Sequence, residues 1–153
     1  MNFFKNFSFL KRNKKKLVQI GRVEKINIPK LDLYNIDAKI DTGAYRGTIH
    51  AEEIREIVKE NTKILEFNVV DESSSENTKI LHQTSDYRIV KVRSSQSPLD
   101  DRYAIPVVLE IAGKKIKTEL SLSDRKELRY PILIGRKALK NRFSIDVSKE
   151  YIN

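Results

Sequence analysis

Cysteine is absent from the 153-residue chain, which excludes disulfides, thiolate metal sites and a thiol nucleophile. Histidine occurs only at His50 and His82, and neither belongs to the His-Glu-x-x-His pattern of a zinc peptidase. His50 reads as a polar residue at a strand end, and His82 as a solvated residue beside a loop. No Gly-x-x-x-x-Gly-Lys-[Ser/Thr] run exists to cradle a nucleotide phosphate. No segment approaches the ~20 apolar residues of a membrane helix. The first apolar residues are interrupted by Lys5 and Asn6 and precede a basic block, the reverse of a secretory signal. These absences predict a cytoplasmic protein with no metal and no cofactor.

What is present in excess is positive charge, +9 in all. Six of those charges (Lys5, Lys11, Arg12, Lys14, Lys15 and Lys16) fall in residues 1–16, which hold no acid, leaving +3 for residues 17–153. Acids and bases are interspersed in that larger part, so the balance does not point to a nucleic-acid protein. Residues 1–16 read as a basic, disordered tail. A sharper reading is weak contact with an anionic membrane through Phe3, Phe4, Phe7, Phe9 and Leu10 together with the basic block.

Residues 17–153 read as one domain of many short strands. Apolar residues alternate over Val18–Ile28 and again at Ile36, Ala38 and Ile40; Thr48–His50 reads as a short return strand. Ile64–Val70, Tyr87–Val92 and Phe143–Val147 are further strands, with serine-rich Asp71–Asn77 and polar Ser94–Asp101 between them. Tyr103–Ile111 and Ile116–Leu122 form the clearest hairpin, with Gly113 in its turn and Pro106 at an edge or bulge. Two stretches read as helix. Ile54, Ile57 and Val58 fall at i, i+3, i+4 within Ala51–Glu60, and Arg136–Asn141 has room for one or two turns. The sum is an all-β, β-dominated closed barrel with one or two short helices.

Lys39-Ile40-Asp41-Thr42-Gly43-Ala44 carries the chemistry. An apolar strand delivers a carboxylate into a tight turn. An Asp-Thr-Gly alone is also an ordinary turn after a strand. Here a second apolar strand ending in glycine, Ile132-Leu133-Ile134-Gly135-Arg136, follows some ninety residues later and suits a place beneath that turn. Peptide hydrolysis by carboxylates needs two of them about 3 Å apart, sharing one proton, so that one takes a proton from water and the other polarises the carbonyl. Gly43 lets two such turns approach, Thr42 offers a hydroxyl to cross-link them, and Ala44 keeps the surroundings apolar. One Asp-Thr-Gly per chain supplies half a dyad, so two copies related by a two-fold axis are required. Asp146 has no Ser/Thr-Gly after it and is not a second catalytic candidate.

The pair of motifs resembles the retropepsin-like aspartic protease family of bacteria, proteins often labelled ATP-dependent zinc proteases. Similar blocks include Ile20-Gly21-Arg22, Thr48-Ile49-His50-Ala51, Lys91–Ser95, Arg102-Tyr103, Glu119–Arg125, Tyr130–Arg136 and Phe143–Val147, and the similarity covers roughly residues 18–152. The resemblance implies a retropepsin-like acid-protease barrel, a homodimer, a catalytic Asp41, and a peptide or protein substrate. It also implies a possible partnership with an ATP-grasp ligase, since some relatives occur beside such enzymes. The family commonly has a basic residue directly after Asp-Thr-Gly-Ala; Tyr45 stands there, and Arg46 comes one later. Arg46, Asp124 and Arg125 are therefore candidates for substrate or dimer contacts, Asp124-Arg125 reading equally as a local turn with its own salt bridge. Arg136 reads as a structural ion-pair partner beside the active-site turn. The alternative to an aspartic endopeptidase is a non-catalytic, protease-like module that binds a peptide or a ligase partner.

Overall fold

The computed structural model describes residues 15–94 and 97–153. The tail read as disordered thus lies, through residue 14, outside the described residues. Eleven strands are described: β1 Val18–Gly21, β2 Val23–Ile28, β3 Leu33–Ile40, β4 Gly47–Lys59, β5 Thr62–Asp71, β6 Thr78–Thr84, β7 Arg88–Ser94, β8 Ser97–Ile111, β9 Lys114–Ser123, β10 Ile132–Ile134 and β11 Phe143–Asp146. A 3-10 turn covers Pro29–Leu31, and one helix, α1, covers Arg136–Leu139. No helix among the described residues is long and apolar enough to cross a membrane.

Six strands close into a ring in the order β10-β3-β2-β8-β9-β4 and back to β10. The ring closes because β10 pairs on both sides: parallel to β3 (Ile132↔Ala38, Ile134↔Ile40) and antiparallel to β4 (Ile132↔Ile49). β9 and β4 lie parallel, Gly47 opposite Leu120 and Ile49 opposite Leu122. The alternation seen in the sequence becomes the barrel interior. Leu109 faces Ile116, Val107 faces Thr118 and Ile105 faces Leu120 across β8 and β9, and all six are buried. Pro106 lies where the outer side of β8 passes from β7, which pairs as far as Ala104, to β2, which pairs at Glu110. No neighbouring strand asks there for its missing N–H, and its carbonyl accepts from Lys30 Nζ at 3.3 Å.

The segment expected to be helical, Ala51–Glu60, is instead the second half of β4. It pairs with β5 from Arg55↔Glu66 to Lys59↔Thr62. The helical spacing arose from a bulge: the register shifts between Glu52 and Arg55, and Glu53 sits at φ 53°. An extra residue breaks the two-residue period and mimics i, i+3. The turn that follows uses Glu60 and Asn61 at φ 49° and 61°, the two left-handed residues of a tight hairpin. β6 extends this hairpin from Leu65↔Thr84 to Asp71↔Thr78. It was not expected, and it corrects the reading of His82. That side chain is half-buried in β6, stacks on Phe67 at 5.8 Å between centroids, and donates through Nε2 to the Leu31 carbonyl at 3.1 Å. The polar stretch Ser94–Asp101 is also largely strand, with Asp100 and Asp101 opposite Val92 and Lys91.

Gly47 marks the tightest point of the closure. A β-carbon there would lie 2.6 Å from both the Leu133 carbonyl oxygen and Leu120 Cδ2. We expect Gly47→Ala to lower stability by about 1–3 kcal/mol through overpacking against backbone. Urea unfolding of the two proteins measures it, and equal midpoints would show that the ring yields at this point.

Candidate active site

Asp41 leaves the end of β3 still tied to the ring: its N–H donates to the Ile134 carbonyl at 2.9 Å. The turn then closes on the aspartate itself. Gly43 N–H donates to Asp41 Oδ1 at 3.1 Å, and Ala44 N–H to the Asp41 carbonyl at 3.3 Å. One carboxylate oxygen is thereby held by backbone, and the side chain is half-buried while Thr42 and Gly43 are exposed. Ile40 and Ile134 are buried beneath.

The second motif is stitched to the first. Arg136 and Lys137, at the start of α1, donate their N–H groups to the Ala44 and Tyr45 carbonyls at 2.8 and 2.9 Å. These are orphan donors of a helix N-terminus, here satisfied by the turn rather than by a capping side chain. The contact requires glycine at position 135, since a β-carbon would lie 2.7–2.9 Å from Arg46 C, Tyr45 O and Ala44 O. Arg136 reaches further, donating from Nη1 to the Thr42 carbonyl at 2.9 Å. It therefore braces the turn through a carbonyl, where an ion pair had been expected.

Arg46 points to a carboxylate that sequence reasoning did not single out. Glu119 on β9 accepts from Arg46 Nε at 2.5 Å and from Arg88 Nε and Nη2 at 2.6 and 2.8 Å. Lys137 Nζ lies 3.6 Å away. The hydrogen bonds from Arg88, then Arg46, outweigh burial and hold the Glu119 carboxyl at about 2. Cations from beside the Asp41 turn, from β7 and from α1 thus converge on one anion of β9.

Asp124 and Arg125 follow β9. Asp124 Oδ1 accepts from Lys126 N–H at 2.9 Å, an ordinary turn contact. Arg125 N–H donates to His50 Nδ1 at 2.9 Å, and its Nε to the Tyr130 carbonyl at 3.1 Å. Burial, then neighbouring Arg102, pushes the Arg125 guanidinium down, and the field of Asp41 partly offsets them. His50 is 4% exposed, with Nε2 3.3 Å from Glu52 Oε1. Because Nδ1 accepts a hydrogen bond, the ring proton belongs on Nε2, facing Glu52. Glu52 is lowered chiefly by its hydrogen bond with Lys79. Asp146, at the end of β11, accepts from Ser148 N–H and Oγ at 3.0 and 2.6 Å, a local turn. Among the described residues no group of three or more His, Asp or Glu side chains is placed to hold a metal ion.

Glu119 makes stability depend on pH in a definite direction. Its carboxyl is depressed from 4.5 to about 2 in the folded chain, so the contribution is complete above about 4.5 and disappears as the pH falls through about 2. We expect Glu119→Gln to cost about 2 kcal/mol or more near neutrality, since it leaves three cations converging on an amide. The difference from wild type should shrink between those two pH values. Urea titrations across the acid range measure it, and a constant difference would assign the effect to packing.

Residues 19–153 match the family described as RimB-like, retropepsin-like aspartic endopeptidase RimB. A probable alpha-L-glutamate ligase of Shewanella halifaxensis is 28% identical over 132 residues, covering 86% of this chain and 29% of that protein. Another, from Desulfotalea psychrophila, is 31% identical over 129 residues, 83% of this chain and 27% of that one. The chain thus spans less than a third of the length of these curated relatives. The fold is similar to the crystal structure of Lpg0085 from Legionella pneumophila, a protein described as of unknown function. The TM-score is 0.71 at 24% identity, over 90% of this chain and 98% of that one. The chain belongs to the RimB-like family of retropepsin-like aspartic endopeptidases.

Proposed function

We propose that the protein is an aspartic endopeptidase whose dyad consists of Asp41 from each of two copies. The observation that carries this reading is the fastening of the Asp41 turn, which has one carboxylate oxygen held by Gly43 N–H and its backbone tied to β10 through Ile134. A carboxylate fixed by backbone meets its twin without loss of side-chain freedom. The two then share a proton, one drawing a proton from water as the other polarises the scissile carbonyl. Arg136 and Gly135 support the turn, and Arg46, just after it, is anchored to Glu119.

The relatives' names suggest the setting. Proteins named as probable alpha-L-glutamate ligases contain a segment similar to this chain over less than a third of their length. We read this as a functional association: the chain acts on a peptide or protein that an ATP-grasp ligase makes or extends. The same names would suit a binding module without turnover, and Asp41 separates the two readings.

Two outcomes are expected. Asp41→Asn, which keeps the size of the side chain but cannot take a proton from water, should lower peptide turnover by at least about a hundredfold while leaving the thermal midpoint near that of wild type. Unchanged turnover would defeat the aspartic mechanism. Sedimentation should show a two-fold dimer under conditions where the protein is active; full activity from a population that stays monomeric would mean that a single Asp41 suffices.

A further inference from the structure

Away from the Asp41 turn, a cavity of about 240 Å³ opens at the β8–β9 turn, lined by Lys15, Lys16, Lys114, Lys115, Ile116, Asn141 and Arg142. Five of these seven residues are cationic and none is acidic. Lys115 also reaches Glu110 at 3.6 Å, across the hairpin. Arg142 is fixed in place by donating from Nη1 to the Lys140 carbonyl at 3.2 Å. β9 starts at Lys114 and carries Glu119 five residues later, roughly 17 Å along an extended strand. The cavity is thus separate from the cluster around the active-site turn.

Cations of one sign gathered around a concavity repel one another, and an anion bearing several oxygens relieves that repulsion. The sequence that precedes Lys15 indicates where the anion comes from. Lys15 and Lys16 end a basic block, and Phe3, Phe4, Phe7, Phe9 and Leu10 precede it. Large apolar side chains ahead of clustered lysines suit the boundary between headgroups and acyl chains of an anionic bilayer. A nucleic acid would instead call for a basic groove that tracks its backbone, and residues 17–153 carry a net charge of only +3.

We propose that this cavity binds the phosphate-bearing headgroup of an anionic lipid and that residues 1–16 seat the protein on the membrane surface. Glu119, which holds Arg46 beside the Asp41 turn, then lies roughly 17 Å along β9 from the bound headgroup.

The test is co-sedimentation of the full chain with phosphatidylcholine vesicles and with vesicles containing about one third phosphatidylglycerol. We expect binding to the anionic vesicles alone, weakening as salt is raised. Lys114→Glu combined with Lys115→Glu should lower partition at least about tenfold, with the unfolding midpoint unchanged. The same charge change on the β4–β5 hairpin, Lys59→Glu with Lys63→Glu, should leave partition close to wild type. Phe7→Ser with Phe9→Ser should weaken binding at constant charge. Equal binding to neutral vesicles, no binding, or equal losses in the two lysine pairs would overturn the proposal. So would release from vesicles by a short RNA at equal phosphate concentration, which would assign the face to nucleic acid.

Discussion

Three residues of backbone, Ile132–Ile134, close the barrel and support the candidate site together. β10 is hydrogen-bonded on both edges, to β3 and to β4, and its end accepts the N–H of Asp41. A strand placed centrally in this way cannot shift by one residue without turning every side chain to the opposite face. Ile132 and Ile134 are buried, so such a slip is costly. The position of Asp41 is therefore fixed by the same bonds that close the ring. Glycines mark the points where the close approach leaves no room for a β-carbon, at 47 beside Leu133 and at 135 beside the turn.

Around that backbone frame the polar groups form a second layer of positioning. Glu119 gathers cations from beside the Asp41 turn, from β7 and from α1. A single carboxylate among three cations is favourable only while it stays ionised, which is why its proton affinity is so low. On the other side, buried His50 accepts the backbone N–H of Arg125 and so anchors the segment that follows β9. In both cases a barrel side chain fixes an element that is not itself part of the ring.

The Asp-Thr-Gly turn and the strand beneath it were legible because each is a short, local pattern, and their pairing follows from the barrel they imply. The β8–β9 hairpin was legible because alternation runs unbroken on both sides of Gly113. The Ala51–Glu60 strand was misread because the bulge at Glu53 erased the alternation, although β-branched Ile54, Ile57 and Val58 argued for strand. β6 went unread because it covers only one side of β5 and leaves Leu81 58% exposed. Glu119 stood in one of the family-like blocks, Glu119–Arg125, but nothing local gave it a role. Its partners Arg46 and Arg88 lie 73 and 31 residues away in sequence, and only the folded topology makes them neighbours.

β1 and β11 lie side by side and parallel, Val18 against Phe143 and Gly21 against Asp146. The buried Glu24 carboxylate adds a clasp, accepting N–H groups from Gly21 at 2.7 Å and from Ile152 and Asn153 at 3.3 Å. The first and last strands thus sit at one spot on the barrel rather than at opposite poles. A fold fastened in this way can hang from a larger polypeptide like a pendant, entered and left through one narrow neck. Mechanical load on the two ends would pull on β1 and β11 before it reached the Asp41 turn.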